Sequence, residues 1–243
     1  MKTFVIGDVH GHAPLLAQLI DRAGVIGMGA EVVLLGDVGH FSHASHERDF
    51  TTWSLVDKLR YALVAQGGDL TVLWGNHDYA NISPDKHGFR GFEPAFPEVR
   101  DIMTRLAPRF ALEREGFLLT HAGLAPRFAP PAGTPIEVLA QVLNSAEGLP
   151  AIDDISYRRG GYAVQGGILW RDAREPLAEG IKQVFGHSRG MVRRFGPAQD
   201  SWCIDVCDKG DDASLVGLWL HDLKVVAVGP DQGIHETPWP DAE

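Results

Sequence analysis

The feature that most constrains this chain is a pattern met five times, in which a short apolar run empties, beside a glycine, into side chains able to hold a metal. In the central copy Val72, Leu73 and Trp74 lead through Gly75 to Asn76, His77 and Asp78. A buried strand explains the first three residues, and the glycine lets the backbone turn sharply or approach a ligand closely. The next three supply an amide oxygen, an imidazole that titrates near neutrality and a carboxylate. Read alone, the stretch is equally a strand followed by a helix cap, since Asn and Asp favour that position. The other copies shift the balance. Phe4-Val5-Ile6 leads into Gly7-Asp8-Val9-His10-Gly11, Val32 to Leu35 into Gly36-Asp37, Phe117 to Thr120 into His121-Ala122-Gly123, and Val184-Phe185 into Gly186-His187-Ser188. In an α/β sheet ligands bind beyond the carboxyl ends of the strands, and here those ends carry Asp8, His10, Asp37, Asn76, His121 and His187.

Between these strands the spacing of apolar residues predicts helices. One runs from His12 to Ile20, with Pro14 suited to a first helical position and Gly24 to a C-cap. Another covers Asp49 to Ala65, where Trp53, Leu55, Val56, Leu59 and Leu63 recur at roughly helical spacing, and a third covers Glu98 to Leu106. Thr134-Pro135-Ile136-Glu137 reads as a capping box with proline at the first helical position, opening a helix to about Ala146. Strands over 202–206, 214–220 and 224–228 close the chain, the first two joined by a turn at 208–212, so that this end is antiparallel. Residues 1–230 are read as one domain and 231–243 as a loose acidic tail. The stretch from Asn81 to Phe96, rich in Gly, Pro and aromatic residues, is read as a functional loop. The loop carrying His40, His43 and His46 is read as largely solvated, with His40 the candidate because it lies just beyond Asp37.

Composition limits the functions available. A chain of 243 residues, 44% of them hydrophobic, can bury a substantial core. Its formal net charge of -10 argues against nonspecific nucleic-acid binding, which needs an excess of Lys and Arg, and leaves room for a small phosphorylated substrate held through bound metal. Cys203 and Cys207 are too few for a disulfide framework and are expected to be reduced thiols of a cytoplasmic protein. There is no signal-peptide core and no run of about eighteen apolar residues, so neither export nor membrane insertion is expected.

The ligand inventory has a chemical reading of its own. Carboxylates, an amide oxygen and imidazoles together suit manganese, iron or zinc better than magnesium alone, which avoids nitrogen ligands. Six candidates exceed the needs of one zinc ion, and a carboxylate such as Asp37 can bridge a pair. Two ions about 3.5–4 Å apart can activate water and clamp a phosphoryl group for in-line displacement. Asp8 and His10, two residues apart, would face one side of an extended strand and so reach one ion.

In order and separation, Gly7-Asp8-Val9-His10-Gly11, Gly36-Asp37, Gly75-Asn76-His77-Asp78, His121-Ala122-Gly123 and Gly186-His187-Ser188 resemble the signature of the calcineurin-like metallophosphoesterases, across roughly Phe4 to Val228. Val184 to Asp205, with its Phe-Gly-His-Ser and Cys-Ile-Asp, is similar to bacterial members of the phosphoprotein phosphatase branch, which also includes symmetrical dinucleoside tetraphosphate hydrolases. The resemblance implies a four-layer α-β-β-α sandwich of two mixed sheets flanked by helices. It implies that Asp8, His10 and Asp37 bind one divalent ion and that Asp37, Asn76, His121 and His187 bind the other, with Asp37 as the bridge. A metal-bridging hydroxide would attack phosphorus, and His77 would protonate the leaving oxygen as general acid. Asp78 is expected to fix its loop rather than to take part in chemistry.

The chain departs from that branch at the arginines. Where the branch reads Gly-Asp-x-x-Asp-Arg-Gly, this chain reads Gly36-Asp37-Val38-Gly39-His40-Phe41-Ser42. His40 thus stands for the aspartate that braces the catalytic histidine, and is placed against His77 or the substrate. Phe41 stands for a phosphate-gripping arginine, and Trp74 for another. Losing bidentate donors weakens recognition of a compact dianionic phosphate. Arg171, in a Trp-Arg segment similar to one that supplies a phosphate-binding arginine in some bacterial members, is the best remaining clamp. The alternative for it is a surface ion pair with Asp172 or Glu175. Arg158, Arg159, Arg189, Arg193 and Arg194 are reserves for which a solvated face is the simpler reading. Three functions follow: hydrolysis of phosphomonoesters, phosphoprotein among them; hydrolysis of phosphodiesters or nucleotide anhydrides, with Trp74, Phe41 and Phe89 available to stack a base; and a catalytically silent metal-binding interaction module. The intact Asn76-His77 pair argues against the last.

Overall fold

The apolar runs that precede the metal-ligand residues are strands whose successive side chains feed two different cores. The structure, a computed structural model, describes residues 1–39, 46–82, 96–145, 148, 151–152, 154–190, 192–196, 200–207, 213–230 and 237–238. Strands β1 (Thr3–Ile6), β2 (Glu31–Leu34) and β3 (Asp69–Val72) lie parallel, side by side. In β1, Phe4 and Ile6 point into a core shared with helices while Val5 points the opposite way, and in β2 Val32 and Leu34 divide from Val33 in the same manner. The helices covering the first face are α1 (Ala13–Ala23), α2 (His46–Ala65) and α4 (Pro97–Leu106), whose buried stripes carry Leu16, Leu19, Trp53, Val56, Val99 and Ile102. Between α2 and α4 the chain forms β3 and the short helix α3 (Asn76–Ile82).

The opposite face of that sheet packs on a second one. Strands β4 (Ala111–Arg114), β5 (Phe117–Thr120), β6 (Gln183–Phe185), β7 (Arg193–Phe195) and β8 (Ser201–Cys203) build it, and it is ordered β7-β8-β6-β5-β4. Val5, Val33 and Leu35 from one sheet meet Leu119, Val184 and Trp202 from the other. The outer face of the second sheet, including Leu118, packs against Leu139, Ala140 and Leu143 of α5 (Ile136–Leu143). This is the four-layer α-β-β-α sandwich that the resemblance implied. The two sheets are stitched at one edge, where the Arg109 N–H donates to the Val72 carbonyl at 3.0 Å and the Trp74 N–H donates to Arg109 at 2.7 Å.

Several local expectations are corrected. Segments 202–206 and 214–220 are not a hairpin: β8 belongs to the second sheet, whereas β9 (Leu215–Trp219) joins the first, antiparallel to both β1 and β10 (Lys224–Val228). The 208–212 turn lies outside the described residues. The capping box does not form, because the Thr134 hydroxyl donates to Pro131 O at 2.7 Å and α5 begins one residue after Pro135. Within the segment read as a loose tail, β11 (Thr237–Pro238) pairs in parallel with β7 and extends the second sheet. Most of the 81–96 loop, and with it Phe89, falls outside the described residues. Among the described residues no helix is long and apolar enough to cross a membrane.

Far from the strand ends that carry the ligands, Glu31 is buried at the start of β2, where it accepts from the Thr3 hydroxyl at 3.3 Å and from Arg114 Nε at 2.6 Å. Replacing Arg114 by Met leaves that carboxylate buried without its cation. Because Arg114 is 37% exposed and its site partly screened, the expected cost is about 2 kcal/mol, below the roughly 3–5 kcal/mol of a fully enclosed pair. Urea denaturation should read this loss with metal content unchanged, and an unshifted midpoint would rule it out.

Candidate metal centre

The carboxyl ends of β1, β2, β3, β5 and β6 converge, and the loops leaving them carry the ligand residues. Their backbone is bent to do so. His10, Asp37 and His187 have φ of 47°, 48° and 67°, three of the six non-glycine residues with positive φ among the described residues. The expectation that Asp8 and His10 share an extended strand is therefore corrected, since β1 stops at Ile6 and a left-handed turn brings His10 round. The Asp37 carbonyl holds that turn, accepting from Val9 N at 3.1 Å and His10 N at 2.8 Å. Glycine makes room for the carboxylates: a Cβ on Gly75 would lie 2.1 Å from Asp37 Oδ1, and one on Gly186 would lie 2.0 Å from Asp8 Oδ1.

Two sets of ligand atoms result, each within 4.8 Å: Asp8, His10 and Asp37 in one, and Asp37, His121 and His187 in the other. Asp37 belongs to both. Asn76, at the start of α3, brings its Oδ1 to 3.0 Å from His121 Nε2, and His187 Nδ1 lies 3.1 Å from the same nitrogen. His121 Nδ1 is 2.9 Å from the Leu35 carbonyl, an arrangement in which Nδ1 carries the proton and Nε2 keeps its lone pair. That lone pair then faces the Asn76 oxygen and the Asp37 carboxylate 3.7 Å away, acceptors gathered around a point that suits a cation. His77 stands outside both sets. Its backbone N–H donates to Asp37 Oδ1 at 2.9 Å, while its ring is 18% exposed with Nε2 4.0 Å from Asp37 Oδ2. Asp78 accepts from Val38, Gly39 and Gly75 N–H groups at 3.3–3.4 Å, so it pins the loop after Asp37 to the Gly75 turn as expected.

The electrostatics point the same way. Asp8, Asp37, Asp78 and Asp205 are all buried. Burial, reinforced by Asp205 and Asp37, pushes the Asp8 carboxyl well above its ordinary range. Burial and then Asp37 do the same to Asp78, and burial lifts Asp205 to about 7. Burial drives His121 down to about 3 and lowers His187, so both imidazoles are neutral and ready to ligate. The buried carboxylates and the neutral imidazoles together offer oxygen and nitrogen donors suited to a divalent cation.

Other predicted residues stand differently. Arg171 is buried, not exposed to a substrate or to a surface ion pair. Its Nε donates to the Ala122 carbonyl at 2.9 Å, its Nη1 to the carbonyls of Asp172 and Glu175, and its guanidinium lies 4.7 Å over the Phe185 ring. It braces the loop after His121, and burial brings it down to about 10. Trp74 is half-buried and lies against Tyr79 and Phe110, at 5.9 Å and 6.5 Å between ring centroids. His40, Phe41 and His43 lie outside the described residues, and His46 opens α2, away from both ligand sets. Sequence reading passed over Asp205, although its signal was present: a carboxylate directly after the apolar run that ends β8. Its segment underlies two ligand loops, since the Cys203 thiol donates to Gly186 O and Ser188 O and the Cys207 thiol to Val9 O. Both cysteines are buried and neither is in a disulfide.

The calcineurin-like phosphoesterase family matches residues 1–201 of the chain. No curated protein sequence matches it. Among solved structures it is similar to one described as a diadenosine tetraphosphatase, with 17% identity, a TM-score of 0.57, and coverage of 96% of this chain and 95% of that one. A cold-active protein-tyrosine phosphatase of a psychrophilic Shewanella has 17% identity and a TM-score of 0.57, covering 93% of this chain and 80% of that one. A protein serine/threonine phosphatase from Saccharomyces cerevisiae has 15% identity and a TM-score of 0.54, covering 100% and 84%. At these identities the likeness is one of fold.

Loading metal onto chelator-treated protein at pH about 7 should release protons from the raised carboxyls and none from the neutral imidazoles. Affinity for manganese should therefore rise from pH 6 to pH 8. Calorimetry in buffers of different ionisation enthalpy reads this directly, and a binding heat independent of buffer would contradict it.

Proposed function

Since this chain belongs to the calcineurin-like phosphoesterase family, whose members hydrolyse phosphate esters, we propose that it works with a pair of divalent ions on phosphomonoesters, with His77 as general acid. The observation that carries this reading is Asp37, whose carboxylate serves both sets of ligand atoms at once. Asp8 and His10 complete one set; Asn76, His121 and His187 complete the other. Manganese or iron fits these donors best, with zinc also compatible. When bound, such ions supply activated water and neutralise charge on the phosphoryl group.

The remaining work falls to the protein. His77 is partly exposed, stands beside the shared carboxylate and is anchored through its backbone, which suits a group that hands a proton to the leaving oxygen. A general acid of this kind contributes typically about 10²–10⁴ in rate. Asp78 keeps His77 and the Asp37 loop in mutual register through its three backbone acceptor contacts. The substrates that fit this reading are phosphorylated small molecules, nucleotides or phosphoproteins.

A second reading, hydrolysis of phosphodiesters or nucleotide anhydrides, is favoured by the burial of Arg171, which withdraws a guanidinium that a compact dianion would use. Assays of the purified protein with manganese, using p-nitrophenyl phosphate, bis-p-nitrophenyl phosphate and a dinucleoside tetraphosphate, separate the two. No turnover of any of the three would turn the balance to a silent binding module.

Asp37→Asn should lose metal and activity together, because both ligand sets lose a member. His77→Asn should keep its manganese, read by elemental analysis, while turnover falls by roughly 10²-fold or more. Equal metal loss in the two variants would make His77 a ligand and the assignment of roles wrong.

A further inference from the structure

Neither position at which the resembling branch carries phosphate-gripping arginines holds one here, and Arg171 is sealed beneath the His121 loop. A different guanidinium stands at the edge of the centre. Arg159 ends the short 3-10 turn Tyr157–Arg159, which opens with the Ser156 hydroxyl accepting from Arg158 N and closes on Gly160 in a left-handed conformation. Its Nη2 donates to the His187 carbonyl at 3.3 Å and to the Ser188 hydroxyl at 2.7 Å, and its Nε lies 3.1 Å from Asp172 Oδ2. Asp172 is itself fixed by Arg174, with bonds of 2.7 and 3.0 Å, and Ser188 Oγ also accepts from Ala173 N at 3.0 Å. The Arg159 side chain is nonetheless 28% exposed. Its charge acts on His121, on His187 and on Asp205, residues of and beneath the metal centre. Arg158, next to it, lies 5.2 Å over the Tyr157 ring instead.

We propose that Arg159 is the oxyanion-binding residue of this site: its guanidinium, held in place by Asp172, Ser188 and the His187 carbonyl, receives a phosphoryl oxygen of the substrate beside the metal pair. A fork tethered on one side presents its remaining donors in a fixed direction, the condition under which arginine recognises phosphate with specificity. The same contacts tie anion recognition to the loop that carries His187, so the ligand and the clamp move as one piece. This assignment rests on the phosphoesterase reading above, and its test separates the two. Inorganic phosphate is titrated calorimetrically into manganese-loaded wild type, Arg159→Met, Arg159→Lys and Arg158→Met, with manganese content and p-nitrophenyl phosphate kinetics measured on each.

The expected result is that Arg159→Met keeps its manganese, binds phosphate at least about 10-fold more weakly and raises KM more than it lowers kcat, that Arg159→Lys falls between, and that Arg158→Met matches wild type. Phosphate binding unchanged in Arg159→Met overturns the proposal, as does a wild type that binds no phosphate. Loss of manganese from Arg159→Met also overturns it, since the residue would then be a brace for the His187 loop alone. If wild type turns over no ester yet Arg159→Met weakens phosphate binding, the clamp stands and the catalytic reading falls.

Discussion

Four buried carboxylates, those of Asp8, Asp37, Asp78 and Asp205, lie where burial and their mutual repulsion both penalise charge. The protein meets this penalty in two ways. Backbone N–H groups are turned toward the acids, as when His187 N approaches both Asp8 oxygens at 3.1–3.2 Å and three amides surround Asp78. The neutral imidazoles of His121 and His187 are gathered beside Asp37 and add no negative charge, with His121 Nε2 3.7 Å from its carboxylate. The left-handed turns at His10, Asp37 and His187 and the bare backbone at Gly75 and Gly186 belong to the same solution, because each brings an oxygen or nitrogen to a place that an ordinary extended strand end does not reach.

Much of this was legible in the linear order of residues. Strands ending at Ile6 and Thr120 were marked by apolar runs, whereas the run Val72 to Trp74 overlaps β3 only at Val72; the six candidate ligands were read from what each run empties into. The sandwich itself came from resemblance, since alternation identifies the two faces of a strand without telling which sheet it joins. That limit explains the misread hairpin: β8 and β9 look like partners along the chain, but their pairing is decided by contacts with β6 and β1. The arginines were the least legible of all. Arg171 sits in a suggestive Trp-Arg context and is buried, whereas Arg159 sits among glycines and reaches the centre, because what separates them is the path of two loops rather than their immediate neighbours.

The capping box at Thr134 failed for a related reason. Its hydroxyl has a nearer acceptor in Pro131, and a local bond already made in the preceding turn outcompetes a helix that starts one residue later. Trp74, read as available to stack a base, also has aromatic neighbours within the fold in Tyr79 and Phe110, which the linear sequence did not reveal.

Asp8 and His187 stand 179 positions apart in the chain, yet the His187 N–H donates to the Asp8 carboxylate, and the ligand residues around Asp37 come from segments of both sheets. The set that joins Asp37 to His121 and His187 therefore cannot form before the segment bearing His187 is in place. During synthesis that set stays incomplete until the last third of the chain has emerged and β6 has docked, so it forms only once strands of both sheets have been assembled.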